Sequence, residues 1–227
     1  VGSVANSDYR DGISDDGQGT LTELLEEIAP KVPGAVSGYI TKELTIAARE
    51  YFRLSQAWQE FLSLPTLTES LMPYNLNPVD DTNKKVYAVL GLSRDGIQFH
   101  RGAVNNFTAA NIAFNNTSYY CSPPTTINFT FPIPDDKPLD NVIAQVSYVP
   151  LVKGTDMPQW IIDNHREGII ATTLSRLFRE IDKPYTSKVD AMYYGNLSRY
   201  HIAEAKTLQQ KNYGNGEHQW MYPRGTR

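Results

Sequence analysis

Apolar positions recur along this chain at two different intervals, and the changes from one to the other divide it into parts. From Ile40, the residues Leu44, Ala47, Tyr51, Leu54, Trp58 and Phe61 follow in unbroken steps of four and three. That spacing keeps side chains on one side of an α-helix and predicts one of about six turns. A second stripe, Ala48, Phe52, Ser55 and Leu62, widens the face, so this helix should pack against two or more others. Ahead of it, Thr20-Leu21-Thr22-Glu23 has the form of a capping box, and Pro30 stops that short helix near Ala29.

Pro65, Pro73 and Pro78 then bar helix, and the period changes to two. The run Val86–Leu92, the turn Ser93-Arg94-Asp95-Gly96 and Ile97–Phe99 read as a hairpin. Alternation returns at Ile127, Phe129, Phe131 and Ile133, and at Val142, Ala144, Val146 and Tyr148. One apolar and one polar face suits an antiparallel sheet or small sandwich covered on one side. Asn105–Ser118 reads as an irregular connection or an edge strand.

Helix is expected again after Asp156, as its cap, with Pro158 where a missing N–H does no harm. Ile170, Leu174, Leu177 and Ile181 form its buried stripe, and Lys183-Pro184 breaks it. Ser187-Lys188-Val189-Asp190 restarts a helix to about Lys211, with inner positions Val189, Tyr193, Tyr200 and Ala203. The fold expected is α+β, an antiparallel helical bundle (the long early helix plus two C-terminal ones) with an inserted antiparallel β lobe and extended arms. Its parts are a flexible arm at 1–19, a helical core at 20–64 and 156–211, a β lobe at 80–152 and an extended tail at 213–227.

Composition narrows the function. Of 227 residues, 41% are hydrophobic and 20% charged, which excludes wholesale disorder and a disulfide-dense miniature scaffold. A net charge of −4 offers no broad attraction for phosphate backbones or anionic lipid. Cys121 is the single cysteine, so no intrachain disulfide or cysteine-built zinc site can form, and a small buried thiol is expected. No run approaches the ~18 apolar residues of a membrane span, and Val1–Arg10 lacks the pattern of a signal peptide, so synthesis and use in the cytosol are expected. The glycosylation-type triplets at Asn106, Asn115, Asn116, Asn128 and Asn196 are accordingly read as chance.

Candidate chemistry is sparse. Phosphate-binding glycine loops, zinc-protease motifs and nucleophile elbows do not occur in the sequence. His100, His165, His201 and His218 are scattered, and His165 and Glu167, at i and i+2 of a helix, point apart. Asp8, Asp11, Asp15 and Asp16 lack the spacing of a calcium loop, and Asp80-Asp81 and Asp135-Asp136 read as solvated turn residues. No enzyme activity, cofactor or metal is therefore expected. The 14 tyrosines, with Trp58, Trp160 and Trp220, instead supply the amphipathic area typical of protein–protein contacts. Trp220-Met221-Tyr222 stands out in an otherwise Gly- and Pro-rich terminus.

Two helical blocks carry a resemblance. The first is Leu24-Leu25 through Pro33, then Ile46-Ala47-Ala48-Arg49-Glu50-Tyr51-Phe52 and Ser55-Gln56-Ala57-Trp58. The second is Pro158-Gln159-Trp160-Ile161, Gly168-Ile169-Ile170-Ala171, Leu174-Ser175-Arg176-Leu177 and Lys183-Pro184-Tyr185, followed by Ile202-Ala203-Glu204-Ala205-Lys206. In this order around a central β segment they resemble the head-tail connector, or adaptor, proteins of tailed bacteriophages, related in plan to tail tubular protein A of short-tailed phages. Tyr51 stands where that family usually has Phe, and Phe52 where it commonly has Cys.

The resemblance implies a virion protein forming a homo-oligomeric ring, commonly of twelve copies, between the portal and the tail. DNA would pass through the bore without sequence-specific binding, and no membrane is involved. Helices would form the subunit core, with Tyr51, Phe52, Trp58, Trp160, Leu174 and Leu177 as packing residues, and contact ring neighbours. The β lobe would face the downstream tail tube or nozzle protein. Portal docking would fall to Trp220, Met221, Tyr222, Pro223 and Arg224. The alternative is a carbohydrate- or receptor-binding β module of a tail or surface protein, suggested by the Tyr- and Asn-rich stretch Asn105–Tyr120.

Overall fold

The computed structural model describes residues 18–68, 72–76, 83–101, 118–122, 125–130, 133, 136–151 and 154–212. Its elements are β1 (Gln18–Thr20), α1 (Leu25–Ile28) between two 3-10 turns, α2 (Ser37–Ser55), β2 (Gln59–Ser63), β3 (Tyr74–Asn75), β4 (Lys84–Arg94), β5 (Ile97–Gln98), β6 (His100–Arg101), β7 (Ser118–Cys121), β8 (Thr126–Phe129), β9 (Val142–Pro150), β10 (Asp156–Pro158), α3 (Gln159–Leu177) and α4 (Lys188–Asn212). The protein is therefore mixed α+β.

The capping box forms as the residue types require: Glu23 Oε1 accepts from the Thr20 amide at 3.2 Å, and Thr20 Oγ1 accepts from the Thr22 amide at 3.4 Å. α2 buries Ile40, Leu44, Ala47, Ala48, Tyr51 and Phe52. It ends sooner than its apolar steps suggest. Gln56 adopts the left-handed region at φ 53°, and the Ser55 hydroxyl accepts from the Ala57 amide at 3.2 Å. Trp58 consequently lies in the turn that follows, and Phe61 and Leu62 lie on β2, where alternation replaces the helical period and leaves Phe61 exposed.

β2 joins a four-stranded antiparallel sheet of order β2-β9-β4-β5. The β4–β5 hairpin turns at Asp95 and Gly96, both at positive φ (49° and 81°), which suits the right-handed twist of the two strands. Along β9, Val142, Ala144, Val146 and Tyr148 face inward, while Ile143 and Gln145 face out. A second sheet, β3-β8-β7-β6, is antiparallel except at its β6–β7 edge. Of the alternating run expected at 127–133, Ile127 is buried on β8, Ile133 is buried beyond it, and Phe131 lies outside the described residues. So does nearly all of Asn105–Ser118, whose last residue opens β7.

Asp156 does not cap α3. It lies on β10, paired antiparallel with β1 in the register Thr20↔Asp156, and Pro158 occupies the cap position without a side-chain bond to the helix. Residues 20 and 156 meet through a strand pairing that no local pattern announces. α3 is buried along most of its circumference, including Leu174 and Leu177, and it packs on both α2 and α4. Ile181, expected in its stripe, falls beyond the end of the helix and is 81% exposed. It sits in a turn tied down by Glu180, whose carboxylate accepts from Tyr39 Oη at 2.6 Å and Tyr185 Oη at 2.8 Å while its carbonyl accepts from Thr186 Oγ1 at 2.6 Å.

The start of α4 is capped as expected, with Ser187 Oγ accepting from the Asp190 amide at 3.2 Å. Its rotational setting reverses the expectation. The core side carries Ala191, Gly195, Ser198 and Ala205, whereas Val189, Tyr193, Tyr200 and Ala203 face outward. The two series both step by four and three, so period alone does not choose between them. Close approach of α3 does: a Cβ at Gly195 would lie 3.0 Å from the Arg179 guanidinium and 3.1 Å from Ser175 Oγ. A single apolar cluster runs from Leu21 through the helices to both four-stranded sheets.

Candidate interaction face and the cleft beside it

The packing residues expected from sequence converge. Tyr51, Phe52, Trp58, Leu174 and Leu177 are buried, and Trp160 is partly buried against the same cluster. Trp58 is held at both ends. Its ring meets Phe52 and Tyr148, each with centroids 5.8 Å away, and its indole N–H donates to Glu60 Oε1 at 2.9 Å. Glu60 also pairs with Lys84 at 2.7 Å, so the Trp58 donor is satisfied inside a charged contact. Trp220, Met221, Tyr222, Pro223 and Arg224 lie outside the described residues, as do Asp80, Asp81, Asp135 and His218.

One group of polar side chains escaped the sequence reading. Tyr51 Oη and His165 Nδ1 are 3.1 Å apart, joining α2 to α3 across 114 residues. The Tyr51 ring lies so close to α3 that a Cβ at position 168 would be 2.4 Å from its Cε2, which accounts for Gly168. These residues line a cleft of about 380 Å³ with Asp163, Glu167, His201 and Glu204. His201 Nε2 is 3.6 Å from Glu167, and its Nδ1 is 3.4 Å from Glu204. The signal in the sequence was Gly168 inside a helix, a residue that marks close approach.

Burial lowers the His165 pKa to about 4, so the ring is neutral near pH 7. Burial also raises the Tyr51 pKa far above its ordinary value. Tyr51 and His165 thus form a hydrogen-bonded tie between two groups that are both neutral near pH 7. Among the described residues no three His, Cys, Asp or Glu side chains are grouped to hold a metal ion. Burial likewise pushes the half-buried Cys121 thiol above its ordinary pKa, which disfavours the thiolate.

The more suggestive feature is the outer side of α4. Val189 is 78% exposed, Met192 70%, and Tyr193 and Tyr200 60% each. They lie within three turns of one helix, and Ala203 continues the line. Its two margins differ in charge. Arg199 and Lys206 follow Met192 along one, and Asp190 and Glu204 bracket Leu197 along the other. Beside the basic margin an open groove of about 510 Å³ is lined by Phe178, Ile181, Met192 and Arg199. A row of aromatic and thioether groups with charged margins has the composition of a protein-binding face.

No helix of the described residues is long and apolar enough to cross a membrane. Among known proteins, no family model matches the sequence and no curated protein does.

Proposed function

We propose that this chain is a structural, non-enzymatic virion protein that forms a ring between the portal and the tail of a tailed phage. In this reading α2, α3 and α4 form a helical bundle, the sheets form a lobe inserted into it, and both termini serve as arms. The ring extends the DNA channel, and its lobe meets the downstream tail tube or nozzle protein. Trp220, Met221, Tyr222, Pro223 and Arg224 dock in the portal. The observation that carries the reading is the exposed aromatic row of α4, on the helix that precedes the aromatic-bearing segment after Asn212.

Physics supports the division of labour. A segment that orders on contact loses conformational entropy and needs anchors such as Trp220, Tyr222 and Arg224 to offset it. Repetition around a ring converts modest contacts into avidity, because each further arm binds intramolecularly. The acidic balance of the chain suits a bore through which DNA slides without adhering.

The test is electron microscopy of the purified chain with isolated portal, before and after truncation at Asn212. The full chain should decorate portal as a ring. The truncated chain should keep its thermal transition and lose decoration; equal decoration by both would overturn the docking role.

A further inference from the structure

We infer that residues 1–17 of one copy of this chain bind the groove beside α4 of a neighbouring copy, acidic side chains against basic ones. This rests on the ring reading and deepens it by naming a contact between copies.

Arg179, Lys188 and Arg199 stand around this groove, and Phe178, Ile181 and Met192 supply its apolar lining. Among the described residues none of these three cations has an ion-pair partner. Asp182, which also lines the groove, is a single acid against three bases. The occupant that complements such a site is an acidic segment with apolar side chains of its own.

The two ends of the chain, 1–17 and 213–227, lie outside the described residues, and their charges differ. The later one sets Glu217 against Arg224 and Arg227, so it is basic like the groove. The earlier one sets Asp8, Asp11, Asp15 and Asp16 against Arg10 alone, and adds Tyr9 and Ile13 for the apolar lining. Charge complementarity therefore selects residues 1–17.

A chain cannot lay this whole segment in its own groove. Gln18, where the segment joins β1, pairs with Pro158 at the start of α3, whereas Phe178 and Arg179 follow the end of that helix. The 19 residues of α3 separate the two ends by about 28 Å. Extended at ~3.3 Å per residue, Ile13 reaches about 17 Å from Gln18 and Asp15 about 10 Å, so both fall short. A segment of one copy in the groove of another joins two different surfaces. Each copy then keeps one segment and one groove for further neighbours, and a head-to-tail contact of this kind can close as a ring.

The test is sedimentation velocity of the full chain over a wide concentration range. Wild type should associate. Arg179→Glu with Arg199→Glu, and Asp15→Lys with Asp16→Lys, should each weaken association at least about tenfold, and the four substitutions together should restore it. Circular dichroism confirms that each variant is folded. In a Cys121→Ser background, an Ile13→Cys chain mixed with an Ile181→Cys chain should cross-link to it under mild oxidation. A wild type that stays monomeric throughout, a fourfold variant no better than the pairs, or cross-links that form only within a chain carrying both cysteines overturns the inference. So does duplex DNA that is held by wild type and lost with the two arginines while association is unchanged, which would give the groove to a nucleic acid instead. Ring decoration of portal by a chain insensitive to these charge reversals would defeat the segment contact and leave the ring reading standing; reversal-sensitive association without portal decoration would do the reverse.

Discussion

α3 and α4 lie side by side and are both long, at 19 and 25 residues, yet they use their side chains in opposite ways. α3 spends Ile161, Ile162, Ile169, Leu174 and Leu177 on the interior. α4 turns Ala191, Gly195, Ser198 and Ala205 inward and keeps Val189, Met192, Tyr193 and Tyr200 for the surface. A helix held by small residues gains little from apolar area, at roughly 25 cal/mol per Å². What it gains is nearness: Thr172 Oγ1 and Ser198 Oγ are 2.7 Å apart, and Ser175 Oγ donates to the Ala191 carbonyl at 3.3 Å. The contrast teaches that large apolar residues at helical spacing mark a face without showing whether it turns to the interior or to solvent.

The contrast can be tested by truncation. Leu174→Ala on α3 should cost about 3 kcal/mol, since it empties a fully buried position, and urea denaturation would read it as a lowered midpoint. A cost below about 1 kcal/mol would mean that α3 is not the central helix described.

A second test of the interior is pH. The folded-state pKa of His165, about 4, lies below its ordinary value of 6.5, so the unfolded chain binds the extra proton between them. Stability from keeping the ring neutral is fully present above pH 6.5 and is lost as pH falls toward 4, by up to about 3 kcal/mol. Denaturation midpoints measured from pH 7.5 to 4.5 should fall, and the fall should be shallower in His165→Gln. Identical slopes would remove His165 as the source.

The smallest effect belongs to α4. Tyr200→Ala should change the unfolding free energy of the monomer by no more than about 0.5 kcal/mol, because an exposed ring has little to lose on folding. A loss comparable to Leu174→Ala would show that Tyr200 packs within its own chain.

Legibility followed the locality of the cause. The Thr20 capping box, the start of α4 at Ser187 and the Asp95-Gly96 hairpin were readable because their causes lie within four residues. α2 was readable along its length but not at its end, because Trp58 and Phe61 continue the four-and-three spacing after Gln56 has turned the chain into β2. The β1–β10 pairing and the Tyr51–His165 bond were not readable, since each joins segments more than 100 residues apart. The setting of α4 was not readable because both its faces carry the same period, and only the space left by α3 separates them. The docking residues from Trp220 to Arg224 were proposed from sequence and lie beyond the described residues.

The hydroxyl contacts between α3 and α4 act as a key in a slot. Oil-like packing alone would let a smooth helix roll on its neighbour, whereas Thr172 and Ser198 fix its angle as a spline fixes a shaft. The direction in which Tyr193 and Tyr200 look is thereby decided from inside the molecule, by atoms that never meet whatever those tyrosines touch.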